Sequence, residues 1–179
     1  MYKIKNLMTL NEPLYHTSDL GRLWEINNRN TLTVSIHRYV KQGILIPVYR
    51  GLYATRPIDT ISPYRLGAAA IHGYCYVSTE TVLAEAGVIF QELFGITFVS
   101  HSVKQITIAE NLFRSRQMAP SLLYQTIGIS LVDGVLWASP ERAYADLKYF
   151  APLYYVDNPD ALDMKKVKAI QKEVGYDRK

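Results

Sequence analysis

The sequence predicts an α+β chain: an N-terminal winged helix-turn-helix, then a mixed domain with a small antiparallel sheet and flanking helices. Three observations predict it. Three short helical patterns precede two β-rich runs that meet at a glycine turn, Tyr49-Arg50-Gly51. Two prolines within Arg56–Pro63 then break regular structure. Farther on, Asp133-Gly134 separates two alternating apolar runs, a strong hairpin signal. The expected domains are 1–60 and 61–179. A length of 179 residues fits one or two small domains, and 49% apolar residues supply a core.

Taken in order, Met1–Leu10 has apolar residues at Ile4, Leu7, Met8 and Leu10 and predicts a short helix stopped before Pro13. Thr17-Ser18-Asp19 offers caps for a helix through about Ile26. A third helix is expected from about Thr31 to Gln42, closed by Gly43. Ile44–Val48 and Leu52–Ala54 form the hairpin. Ser62-Pro63 opens a helix toward Gly73, and Ser78 caps another over Thr79–Ala86. Strands are expected over 96–100 and 104–108, with Ser100-His101-Ser102 as part of a hairpin turn between them. Ile127–Leu131 and Val135–Ala138 flank the Asp-Gly turn. Ser139-Pro140-Glu141 opens a helix to about Phe150, and Met164–Glu173 is a lysine-rich amphipathic helix.

Charge is distributed unevenly. Residues 1–60 hold eight basic and four acidic residues, a balance of +4, whereas 61–179 hold twelve of each. A basic domain joined to a neutral one points to a polyanion-binding part. At 100° per residue, Leu32, Ile36, Tyr39 and Val40 share the core side of the third helix. Asn30, Val34, His37, Arg38 and Lys41 take the opposite side, with Thr31 and Thr33 at its flanks and Arg29 in the preceding turn. Such a face offers asparagine for adenine, arginine for guanine and valine methyls for thymine, with Lys41 set for phosphate. Tyr49 and Arg50 occupy the wing tip, where arginine reaches a minor groove or a phosphate. The expected partner is double-stranded operator DNA.

Other functions find little support. The chain has no phosphate-binding glycine loop, no HExxH and no GxSxG. Its four histidines are scattered, and its single cysteine, Cys75, sits among apolar residues as an inert thiol. Glu80 and Glu85 do not share a helix face, and Arg142 with Asp146 reads as an i,i+4 structural salt bridge. No catalytic residue, metal or cofactor is expected. No run approaches a membrane span and no signal peptide is visible, so a cytoplasmic protein without membrane contact is expected.

Three segments resemble one family. Arg38–Leu45 with Tyr49–Ala54 is similar to the winged helix of AbiEi-type antitoxins, transcriptional regulators of type IV toxin–antitoxin (abortive infection) systems. Tyr76–Leu83 is similar to that family's strand-to-helix step, and Ala138–Asp146 resembles its A-S-P-E-[KR]-A-x-x-D segment. The resemblance spans roughly residues 15–150. It implies a bacterial repressor of its own operon that counteracts a nucleotidyltransferase-like toxin without forming a stable complex with it. A regulator whose second domain senses a ligand or dimerises, and an enzyme with its active site in that domain, are the alternatives.

Overall fold

A computed structural model describes Leu7, Thr9, Leu10 and residues 12–176. The chain is α+β and divides into two compact units, Met1–Ala70 and Ile71–Lys179. The expected boundary was residue 60; a helix over Pro63–Ile71 carries the first unit on to Ala70.

The first unit runs β1 (Leu14–His16), α1 (Thr17–Leu23), α2 (Arg29–Lys41), β2 (Ile46–Tyr49), β3 (Leu52–Ala54), a 3-10 turn at Ile58–Thr60 and α3 (Pro63–Ile71). Its antiparallel sheet has the order β1-β3-β2. The helix expected over Met1–Leu10 lies largely outside the described residues. Strand β1 was not expected. It is three residues long and exists only by pairing with β3, Leu14 opposite Ala54, so no local pattern announces it. Helix α1 is capped by His16, not by the Thr17-Ser18-Asp19 run. Asp19 lies inside the helix, where its carboxylate accepts the His16 N–H at 2.9 Å. The helix also stops at Leu23, short of Ile26, because Glu25 adopts φ +54°. Leu20, Trp24, Leu32, Ile36, Tyr39 and Leu45 form the core, with the Trp24 and Tyr39 rings 5.1 Å apart.

The second unit runs β4 (Cys75–Val77), α4 (Glu80–Glu85), β5 (Ile96–Ser100), β6 (Lys104–Ile108), β7 (Asn111–Gln117), α5 (Pro120–Leu123), β8 (Ile129–Val132), β9 (Val135–Ala138), α6 (Pro140–Phe150) and α7 (Met164–Val174). The expected small antiparallel sheet is instead a six-stranded mixed sheet, order β6-β7-β5-β4-β9-β8. Strands β4 with β9 and β5 with β7 are parallel. The extra strand β7 alternates buried Phe113 and Ser115 with Arg114 and Arg116, and those charges hid its strand pattern. It also corrects the reading of Ser100-His101-Ser102. Strands β5 and β6 flank β7 and do not pair, so that turn joins non-neighbours and is not a hairpin.

Ser78 does not cap α4. Its hydroxyl donates to Asp146 Oδ2 at 2.7 Å, and Thr79 holds the cap position at φ +53°. At the Asp133-Gly134 turn both residues have positive φ, +47° and +78°, the geometry of a two-residue type I′ hairpin between β8 and β9. Ser139 accepts the Arg142 N–H at 3.2 Å with Pro140 following, as its sequence implies.

Candidate nucleic-acid interface

Helix α2 begins at Arg29 because Asn28 caps it, its side chain accepting the Thr31 N–H at 3.1 Å. It ends in a Schellman arrangement: Gly43 N–H donates to Val40 O and Ile44 N–H to Tyr39 O, both at 3.0 Å, with Gly43 at φ +70°. Between these ends Leu32, Ser35, Ile36 and Tyr39 are buried. That burial fixes which side faces water. Asn30, Val34 and Arg38 follow one i,i+4 ridge, and Thr33, His37 and Lys41 the next; all six are exposed. Arg29 and Thr31 are exposed too.

These side chains differ in how free they are. The Thr31 hydroxyl donates to Asn28 Oδ1 at 3.3 Å and the Thr33 hydroxyl to Arg29 O at 2.9 Å. Both are engaged inside the helix. The side chains of Asn30, Val34, His37 and Lys41 make no hydrogen bond or ion pair among the described residues. The Arg38 guanidinium lies over the Tyr39 ring, 5.1 Å from its centroid. That contact orients the group but leaves its N–H donors in water. Val34 is 70% exposed, an apolar side chain at the centre of an otherwise polar face.

The β2–β3 turn is fastened from within the unit. The Thr17 N–H and hydroxyl both donate to Gly51 O, at 2.8 and 3.2 Å. Gly51 has φ +68°, and a Cβ there would come within 3.1 Å of Thr17 Oγ1. Arg50 is exposed in this turn. Tyr49 is the last residue of β2, paired with Leu52 and half-buried, so it sits beside the tip rather than at it. The anchoring role of Thr17 had no sequence signal, because its partner lies 34 residues away. With Arg65 included, the unit Met1–Ala70 holds nine basic and four acidic residues, +5, against −1 for Ile71–Lys179.

The second unit has a different polar constellation. Arg142 and Asp146 are fully buried and joined by Nε–H to Oδ1 at 2.8 Å. Arg142 Nη1 donates to the Gln125 and Ile127 carbonyls, both at 2.9 Å, and Nη2 to the Tyr76 hydroxyl at 3.0 Å. Asp146 also accepts from Ser78 and from the Tyr176 hydroxyl. Burial resists the charge on Arg142, but the charge and hydrogen bond of Asp146 together with Tyr76 and Tyr176 outweigh it and keep the guanidinium protonated. Burial first, and the Asp146 charge second, hold both Tyr76 and Tyr176 well above the ordinary tyrosine range. Perturbed titration of this kind marks candidate active sites. Here no atom of the pair reaches solvent, and its bonding is internal, so the cluster ties β4, α6 and the segment after α7 together. Cys75 is buried and pushed up to about 12, chiefly by desolvation, so its thiol stays protonated.

Among the described residues no three His, Cys, Asp or Glu side chains are grouped to hold a metal ion, and no helix is long and apolar enough to cross a membrane. No protein-family model and no curated protein matches the chain. Among solved structures it is similar to the RV2827C protein from Mycobacterium tuberculosis, with 12% identity and a TM-score of 0.54. The likeness covers 96% of this chain and 70% of that one. At that identity it speaks to the α+β fold alone.

Proposed function

We propose that the first unit is a winged helix that binds duplex DNA, and that the protein is a transcriptional regulator rather than an enzyme. Helix α2 enters the major groove and the β2–β3 turn acts as the wing. The observation that carries this reading is the exposed face of α2, Asn30, Val34, His37, Arg38 and Lys41, whose side chains make no hydrogen bond or ion pair among the described residues, within a unit of charge +5. The order β1-α1-α2-β2-β3 with sheet order β1-β3-β2 supports it, since this arrangement leaves α2 open on one side. Arg38 reads a guanine edge, Asn30 an adenine, Val34 a thymine methyl, and Lys41 and Arg50 meet phosphate or the minor groove.

The antitoxin part of the reading rests on the resemblance of Arg38–Ala54, Tyr76–Leu83 and Ala138–Asp146 to AbiEi-type regulators. In that role the protein represses its own operon and opposes a nucleotidyltransferase-like toxin. Fluorescence anisotropy with a duplex from upstream of the gene, beside a scrambled duplex of equal length, tests DNA binding. The upstream duplex binds more tightly, and both affinities fall as salt rises. Equal, salt-independent affinities contradict the reading. Co-expression with the adjacent gene tests the antitoxin role: the neighbour alone arrests growth, and this chain restores it.

A further inference from the structure

A cleft of about 400 Å³ opens on the sheet of the second unit, at its β5–β7–β6 end. Its floor is a row in register across three strands: Thr97 pairs with Arg114, and Arg114 with Gln105. Register partners project to one face of a sheet, so their three side chains stand side by side. Arg114 and Gln105 are exposed, and among the described residues none of the three side chains makes a hydrogen bond or ion pair. Next to the row Arg116 is already matched, paired with Glu80 and 5.5 Å from the Phe150 ring centroid. The Lys104 ammonium is likewise committed, to the Ile71 carbonyl. The cleft wall includes Phe94 and Val103, 75% and 73% exposed. Two large apolar side chains left in water beside an unpaired guanidinium fit an occupant with an apolar body and an anionic head.

The charge count selects the kind of anion. Lys104, Arg114 and Arg116 line the cleft against Glu80 and Glu92, leaving a single positive charge. Residues 71–179 as a whole carry −1. A polyanion therefore gains nothing here, and a doubly charged phosphate monoester meets the two carboxylates. A carboxylate matches both the single charge and the planar fork of arginine. We propose that this cleft binds a small apolar carboxylate, held by the Arg114 guanidinium with the Gln105 amide and Thr97 hydroxyl, its body covering Phe94 and Val103. The site is independent of the DNA-binding reading.

Isothermal titration of the full chain at neutral pH with phenylacetate, hexanoate, phenylacetamide and phenyl phosphate tests it. At least one carboxylate binds, phenylacetamide binds about tenfold or more weakly than phenylacetate, and phenyl phosphate is weaker than phenylacetate. Arg114→Gln reduces carboxylate affinity about tenfold while the melting temperature of the unliganded protein stays nearly unchanged, since the exposed Arg114 side chain makes no hydrogen bond or ion pair among the described residues. Absence of carboxylate binding up to about 10 mM overturns the proposal. So does equal affinity for the acid and its amide, a comparison that needs no variant, or an Arg114→Gln protein that binds as tightly as the parent.

Discussion

Helices α2 and α6 are built alike but place their charges in opposite ways. Each opens on a polar cap, Asn28 or Ser139, and each carries an arginine. In α2 the cations Arg38 and Lys41 face water. In α6 Arg142 and Asp146 are fully buried, and every bond they make is internal. An exposed charge costs the fold almost nothing and stays available to a partner. A buried one must be compensated within the molecule, so it is consumed by the fold. The difference separates a face open to a partner from a scaffold more sharply than charge content does.

Breaking the scaffold has the largest effect. Asp146→Ala leaves the Arg142 guanidinium buried without its counter-charge and costs about 3–5 kcal/mol of stability. Urea denaturation of the full chain, followed in the far-ultraviolet, reads the loss. Arg38→Ala leaves stability within about 0.5 kcal/mol, as expected of a surface residue. It costs instead about 1–3 kcal/mol of affinity for the preferred duplex. If Asp146→Ala proved as mild as Arg38→Ala in stability, the contrast between the two helices would collapse.

The caps sharpen the comparison from the other side. Asn28→Ala and Ser139→Ala each remove one side-chain bond to a helix N-terminus, and each costs about 1 kcal/mol by the same measurement. Their effects on stability are therefore alike, although one helix exposes its charges and the other buries them.

A last effect is confined to alkaline solution and absent at neutral pH. Folding raises the Cys75 thiol from 9.0 to about 12, mainly by desolvation, and raises Tyr76 and Tyr176 above the tyrosine value of 10.0. The folded state thus holds these protons more tightly than the unfolded one. Their contribution is complete below the unfolded values and is lost as pH rises toward the folded ones. The melting temperature is then level with respect to these groups at neutral pH and declines above about pH 9. Cys75→Ala removes part of that decline, which a thermal melt series across pH detects.

Much of the local structure was legible in the residues. Asp133-Gly134 and Ser139-Pro140 are short-range signals, and each forms the turn or cap its chemistry dictates. So is the burial of Leu32, Ile36 and Tyr39, which a helical period fixes. Long-range pairing was not legible. Strand β1 depends on β3 some forty residues away, and β7 separates β5 from β6 only in space. Ser78 looked like a cap because a serine before a helix satisfies an N–H locally. The buried Asp146 carboxylate, 68 residues distant, takes its hydroxyl instead. The positions along α2 follow from periodicity, but the tie between Thr17 and Gly51 that holds the β2–β3 turn does not.

The central claim, that the open face of α2 meets DNA, is tested most directly by a salt series. Duplex affinity is measured for the parent, Arg38→Ala and Lys41→Ala at several salt concentrations. Lys41→Ala weakens binding to every sequence about equally and lowers the slope of log affinity against log salt by about one unit. Arg38→Ala instead narrows the gap between preferred and scrambled duplexes. Affinities and slopes unchanged in both variants would contradict the claim.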